Sequence, residues 1–509
     1  SDAFDYIVIG SGSAGSLMAN RLSADPANRI ALIEAGPSDR TWPVNIKTAM
    51  PVGNIFLLPH EKYNWKQSLV GNAAVHDRQI NFPRGKLFGG CSAINGGVYI
   101  RGQKADYDAW VDAGNVGWSY ADVLPAFKAV ENYAGPDKAW HGKGGELDVQ
   151  KPKSWNPIAT AIVDAAAQAG HHRNEDFAGE RQDGFGRYDL NQRNGTRLSS
   201  ARAFLHPALG RANLTVLDET MVRRILFDRG RAVGLEIEKN GARRTVSARR
   251  EIILCAGATN SPQLLMLSGV GPADHLRSLG IPVMHDLPGV GQHLKNHPSA
   301  SIRFQPHTSL TLAPDSPRNQ VVLRFAPASS PTRNDVQVQP TSSTPVGQTN
   351  IDVRIGCRLE LPDSTGTLSL ESDDPDVQPK LDYQFLSEPW DRERLREAVR
   401  TAVKLFEHPS FEGIIGERIS PTDDTLSSDK SLDLWMQQTV SIAGHTSCTC
   451  RMGPSSDPTA VVDQHCKVHG LTGLRVVDAS VMPEAIRANT NATTIMIGER
   501  AADLIIQGI

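Results

Sequence analysis

The chain has little material for disulfide cross-links: six cysteines are spread over 509 residues. That is too few for the cysteine framework of a small secreted domain, and it favours a reducing compartment. Net charge is almost absent, at −3 from 53 basic and 56 acidic side chains. Nothing electrostatic therefore argues for nucleic acid or an anionic membrane as partner. No apolar run reaches the ~20 residues of a membrane-spanning helix. No basic segment followed by an apolar one precedes the first strand, so no secretory signal is expected and the expectation is a soluble, cytoplasmic protein. Internal repeats and low-complexity tracts are missing as well. What remains is ordinary globular composition, 39% hydrophobic and 21% charged, in a chain long enough for two or more domain-sized units.

The most informative stretch is at the start. Ile7, Val8 and Ile9 read as a buried strand, and Gly10, Gly12 and Gly15 follow as G-x-G-x-x-G. Ala14, Leu17, Met18 and Leu22 then repeat with helical period. A second apolar strand, Ile30 to Ile33, ends in Glu34, 19 residues after Gly15 and close to the ~20 of a dinucleotide fold. Gly10 permits a tight turn, Gly12 lets a pyrophosphate approach the backbone, and Gly15 lets the helix pack on the strand. The helix start supplies unpaired N–H groups and a positive dipole end. Glu34 is expected to accept from a ribose. This unit leaves open which dinucleotide binds.

Further along, Asn81 to Gly97 is too rich in glycine for a regular element, and such density lets backbone approach a flat or anionic ligand. Tyr120 to Tyr133 and Ile158 to Ala169 read as helices. Val216 to Phe227, Val233 to Ile237 and Glu251 to Gly257 read as strands. Ser261 is expected to cap a helix with Pro262 at its first position. Ser299 to Thr349, continued by Ile351 to Leu361, carries alternating strand-like runs and is expected to form a substrate domain's sheet. Trp390 to Phe406 is helical by period. Leu474 to Asp478 reads as a strand, and the last helix starts near Thr490 with Ile497, Ala501, Leu504 and Ile505 inward. The fold expected is α/β: a Rossmann-like nucleotide domain of 1–150, 200–298 and 455–509, with an α+β substrate domain of 151–199 and 299–454 threaded through it and built on an antiparallel sheet.

Four blocks, in order, resemble the glucose–methanol–choline family of flavin oxidoreductases over essentially the whole chain. They are the Gly10-Gly12-Gly15 unit with Glu34, Pro83 to Asn95, Gly257 to Leu265 running on to Pro272, and a C-terminal block. The last comprises His445-Thr446-Ser447-Cys448-Thr449-Cys450-Arg451-Met452-Gly453, then Val477 to Ser480, then Asn489-Thr490-Asn491. The resemblance implies FAD. It implies cofactor contacts from Gly10, Gly12, Ser13, Ala14, Gly15, Glu34, Ala35, Arg84, Gly89, Gly90, Cys91, Asn95, Gly96, Gly97, Val98, Val222, Ala256, Gly257, Asp478, Ala479, Asn489 and Thr490. It also implies that His445 is the catalytic base and Asn489 its partner, both over the flavin near N5. Leu359, Gly444, His445 and Asn489 are expected around the substrate. Some family members hold FAD covalently through a histidine in the second block. Ile94 stands there, so noncovalent FAD is expected. Cys91 and Cys448 depart from small residues usual in the family, Cys448 from a glycine.

The activity implied is oxidation of an alcohol to an aldehyde, with hydride passing to flavin N5 and a proton to His445. Asn489 fixes the oxygen, and the positive end of the last helix faces the flavin. The expected substrate is a primary aromatic, heteroaromatic or choline-like alcohol, with oxygen or a quinone as acceptor. The alternative is a flavoprotein of the same fold with different chemistry, such as a cyanohydrin lyase. His445 also has the bland reading of a loop histidine, and Asn489 that of an N-cap. Glu360 is read as a solvated strand residue rather than a counter-charge for a quaternary ammonium. A zinc site from His445, Cys448, Cys450, His465 and Cys466 is disfavoured, because Cys448-x-Cys450 is too tightly spaced.

Overall fold

The computed structural model describes residues 2–136, 139–313, 316–331, 333–344 and 350–509. A seven-stranded sheet forms the nucleotide-binding part. Leu214–Leu217, Ile30–Ile33, Ala3–Ile9 and Ala242–Leu254 run parallel in that order. Ala242–Leu254 does two jobs. Its first half pairs antiparallel with Arg231–Lys239, which pairs in turn with Met221–Asp228, while its last three residues pair parallel with Leu474–Val476. The strands ending at Ile9, Ile33, Leu254 and Val476 therefore release the chain at one edge. That carboxyl-end edge is where ligands sit on such sheets. The helices Ser13–Leu22 and Thr490–Ile506 pack against one another; a Cβ on Gly498 would lie 3.2 Å from Ala14 Cα.

The second seven-stranded sheet is antiparallel, in the order Ile415–Ser420, Pro298–Pro306, Asp352–Leu359, Val336–Ser343, Val321–Phe325 and Gly184–Arg187. Ser441–Ile442 also pairs with Pro298–Pro306. The helix Pro389–Phe406 buries Leu395, Ala398, Val399, Ala402 and Phe406 and packs on this sheet. The expected sheet region ended at Thr349, and residues 345–349 lie outside the described residues. A smaller sheet joins Leu147–Gln150 to Asp189–Arg193, with Val149 opposite Asn191. A border at 150/151 thus runs between two paired strands.

Several local expectations are corrected. The helix expected through Tyr133 is Tyr120–Val130, followed by the strand Glu131–Tyr133. Glu131 is drawn into a buried cluster, where its carboxylate accepts from Arg101 at 2.6 Å and meets His141 at 2.8 Å. Ser261 does not cap a helix. The helix begins at Gly257 and contains Pro262, which has no N–H to give to the carbonyl four residues back, that of Ala258. Thr449 Oγ1 donates to that carbonyl at 2.7 Å instead. Asn489 holds the N-cap position of the last helix but makes no side-chain capping bond, because its amide is directed elsewhere.

Candidate active site

One continuous cavity runs from the glycine turn of the first strand to His445. At the glycine end, Gly10 has φ +93°, and a Cβ there would lie 2.6 Å from Cys255 O. A Cβ on Gly15 would lie 1.8 Å from Gly10 O, so this glycine is needed for helix packing. Gly12 differs: it is the N-cap of Ser13–Leu22, and nothing lies within 4 Å of its missing Cβ. The turn is thus closed behind Gly10 and Gly15 and open toward the cavity at Gly12, as a pyrophosphate cradle requires. Glu34 is already engaged. Its Oε2 accepts from Ser11 N at 2.9 Å and Ser11 Oγ at 2.8 Å, and its Oε1 accepts from Gly36 N at 2.9 Å. It lines the cavity while bracing the glycine turn, and Oε1 keeps acceptor capacity for a ribose. Burial raises its pKa against these hydrogen bonds.

The loop after Arg84 folds over this turn. Gly90 has φ +50°, and its Cβ would come within 2.9 Å of Gly12 Cα. Cys91 Sγ accepts from Gly85 N at 3.5 Å. From the far end of the chain, Asp478 Oδ2 accepts from Gly257 N at 2.9 Å and Ser261 Oγ at 2.6 Å, and Oδ1 accepts from Ser480 N at 2.8 Å. Of the residues the resemblance implied, Gly15 and Gly89 support the cradle without lining the cavity, and the other cofactor positions line it. Leu359 does not reach the cavity. Its strand neighbour Arg358 does, because alternate residues of a strand face opposite ways.

At the other end, Gly444 (φ +83°) turns the chain into His445. The backbone N–H of His445 donates to Asn296 Oδ1 at 2.9 Å. Asn489 Nδ2 stands 3.0 Å from His445 Nε2. On the opposite side of the ring, His297 Nδ1 lies 2.8 Å from His445 Nδ1, and Glu360 lies 3.4 Å from that same His297 nitrogen. Sequence reasoning missed His297 and read Glu360 as solvated, whereas both are buried. Burial first, then the positive charges of Arg358 and Arg84 together with His297, holds His445 well below the usual histidine range. Burial also lowers His297, with the Glu360 carboxylate opposing. Both rings are therefore neutral at neutral pH, as a proton acceptor must be.

The loop behind His445 is fastened to the segment after Asp478. Cys448 N donates to Ala479 O at 3.3 Å, Cys450 N to Ser480 O at 2.9 Å and Met452 N to Val481 O at 2.9 Å. Cys448 has φ +72°, a left-handed conformation that favours glycine, in keeping with the glycine that the resemblance implied here. Among the described residues, no group of three or more His, Cys, Asp or Glu side chains is arranged to hold a metal ion, and no helix is long and apolar enough to cross a membrane.

Known proteins resemble the chain along nearly its full length. Models of GMC oxidoreductase match residues 4–299 and 362–498. Choline dehydrogenase, mitochondrial, of Homo sapiens is 38% identical over 99% of this chain and 90% of its own length. Oxygen-dependent choline dehydrogenase of Photobacterium profundum is 35% identical over 99% and 93%. The crystal structure of pyridoxine 4-oxidase from Mesorbium loti superposes with a TM-score of 0.90 at 30% identity, covering 99% of both chains.

Proposed function

This chain belongs to the GMC oxidoreductase family, an FAD-dependent alcohol oxidoreductase, and we propose from that premise that it converts a primary alcohol to an aldehyde with His445 as base. The observation that carries this reading is a buried His445 whose Nε2 meets Asn489 at the end of a cavity that starts in a glycine cradle. That cradle suits a dinucleotide: Gly12 is open where a phosphate must approach, and Glu34 retains an acceptor for the ribose. Gly12, Ser13, Glu34, Gly90, Asn95 and Asp478 are among the residues that would hold FAD, and Ile94, which offers no nucleophile, supports noncovalent attachment. When bound, FAD supplies the hydride acceptor.

The chain's own residues handle the proton. The Ile486 backbone acts on the His297 ring as a hydrogen-bond acceptor, and with His297 Nδ1 facing His445 we assign that bond to Nε2–H. His297 Nδ1 is then an acceptor, His445 Nδ1 carries a hydrogen, and His445 Nε2 is left with its lone pair. A substrate hydroxyl that displaces the direct Asn489–His445 contact donates to His445 Nε2 and accepts from Asn489 Nδ2–H. Asn489 Oδ1, buried without a partner, is free for a second polar group. The N-terminus of Thr490–Ile506 opens on the same space and favours negative charge there.

The proposed substrates are primary aromatic, heteroaromatic or choline-like alcohols. The choline dehydrogenases and pyridoxine 4-oxidase named among the relatives support that range. The test is an anaerobic panel of such alcohols, with bleaching of the flavin as readout, followed by reoxidation with air or a quinone. Bleaching by at least one alcohol supports the reading, and the preferred reoxidant identifies the acceptor. A flavin that every alcohol leaves oxidised favours the non-redox alternative.

A further inference from the structure

The face of the substrate sheet that carries Arg358 is polar and largely unpaired. Arg358, on Asp352–Leu359, lines the cavity with His445, and its Nε and Nη1 are buried without hydrogen-bond partners. Gln337 stands directly opposite it on Val336–Ser343, and Gln339 lies two residues further along the same face. Both amide groups are buried with neither atom bonded, and Gln339 also lines the cavity. Opposite Gln337 on the next strand is Arg324, buried, with Nε and Nη1 unpaired.

Negative charge nearby is already committed or lies outside the cavity. Glu34 and Asp478 accept from backbone and hydroxyl donors. Glu360, two residues on from Arg358, is buried beside His297 with neither oxygen hydrogen-bonded, but it does not line the cavity. Leaving a guanidinium desolvated without an anion is costly, and planar guanidinium groups match carboxylates with paired hydrogen bonds.

The geometry points to Arg358, assisted by Gln339, as the specificity-determining residue that binds a carboxylate carried by the alcohol substrate. This rests on the alcohol-oxidation reading and narrows it: of the proposed substrates, a hydroxymethyl-bearing acid meets a complementary charge at Arg358, whereas a quaternary ammonium meets a like charge there, the two acids that line the cavity, Glu34 and Asp478, being hydrogen-bonded at its nucleotide end.

One scaffold with three charges tests this: para-(hydroxymethyl)benzoate, benzyl alcohol and para-(hydroxymethyl)benzyltrimethylammonium. Anaerobic stopped-flow reduction of the holoenzyme gives an efficiency for each. The wild-type protein is expected to favour the carboxylate over the neutral alcohol by at least about tenfold, in the range of a charge-assisted hydrogen bond. Arg358→Gln should lower the carboxylate-to-neutral ratio by tenfold or more, and Arg358→Lys should retain part of it. Because the ratio is internal to each variant, partial loss of folded protein cancels. A second readout, the shift of the flavin absorption band on titration with benzoate, should show binding that weakens with salt and in Arg358→Gln. Wild-type preference for the neutral or cationic alcohol overturns the inference, as does a ratio that Arg358→Gln leaves unchanged. If none of the three alcohols bleaches the flavin, the wider alcohol panel decides the alcohol-oxidation reading separately. Benzoate binding that depends on Arg358 then still supports the anion site, and its absence overturns it.

Discussion

Replacing His297 with leucine isolates the hydrogen bond that sets the tautomer of His445. His297 Nδ1 faces His445 Nδ1 at 2.8 Å and, in the proposed tautomer, accepts its hydrogen. Leucine offers no acceptor, which leaves a buried N–H unpaired at about 1–3 kcal/mol. The other tautomer, protonated at Nε2, escapes that penalty, because Asn489 Oδ1 has no partner and an amide flip brings it onto the Nε2–H. At about 1.4 kcal/mol per factor of ten, the competent tautomer falls roughly five- to 150-fold. Flavin reduction at saturating alcohol should fall with it. The assay is anaerobic stopped-flow absorbance, with FAD content and melting temperature measured alongside. His297→Gln restores an acceptor oxygen and should recover part of the rate, which a purely structural role for His297 does not predict. A wild-type rate in FAD-loaded His297→Leu refutes the tautomer argument.

Three further outcomes follow from the same structure. Gly12→Ala should fold normally and bind FAD weakly, since its Cβ meets no protein atom within 4 Å. Gly15→Ala should lose folded protein, since its Cβ would sit 1.8 Å from Gly10 O; circular dichroism and FAD titration separate the two. Acid precipitation should release the yellow colour to the supernatant, and a yellow pellet would mean a covalent flavin. The third outcome concerns pH. Burial opposes protonation of His141, but hydrogen bonds with Asp176 and Glu131 carry it up to about 9. A raised folded value gives stability that is complete below about pH 6.5 and lost as pH rises through about 9. The melting temperature should therefore decline across that window, and His141→Gln should flatten the decline.

The nucleotide end was readable because its signal is local. Gly10, Gly12, Gly15 and Glu34 sit in one strand–helix–strand unit with clear apolar periodicity; Gly10 and Gly15 answer to contacts within that unit or just past the adjoining strand, and Gly12 to the open side of the turn. His445 and Asn489 came from matching blocks, since 44 residues separate them and no spacing rule links them. His297, Arg358 and Gln339 carry no motif. They meet because three antiparallel strands pair in register, and register is a tertiary property. A signal did exist, in polar residues at alternate positions of strands that burial makes apolar elsewhere: Gln337 with Gln339, and Arg358 with Glu360. Reading Leu359 as the cavity residue missed by one position, which in a strand is the opposite face. Pro262 misled for a similar reason. The hydroxyl that compensates for its missing N–H belongs to Thr449, far along the chain.

The central claim is that His445 takes the proton as the alcohol is oxidised. Its most direct test is anaerobic reduction of the bound flavin by a primary alcohol and its α-deuterated form, in the wild-type protein and in His445→Ala. The account predicts a primary isotope effect in the wild type and reduction slowed roughly a hundredfold or more in the variant. Reduction of FAD-loaded His445→Ala at the wild-type rate would contradict it.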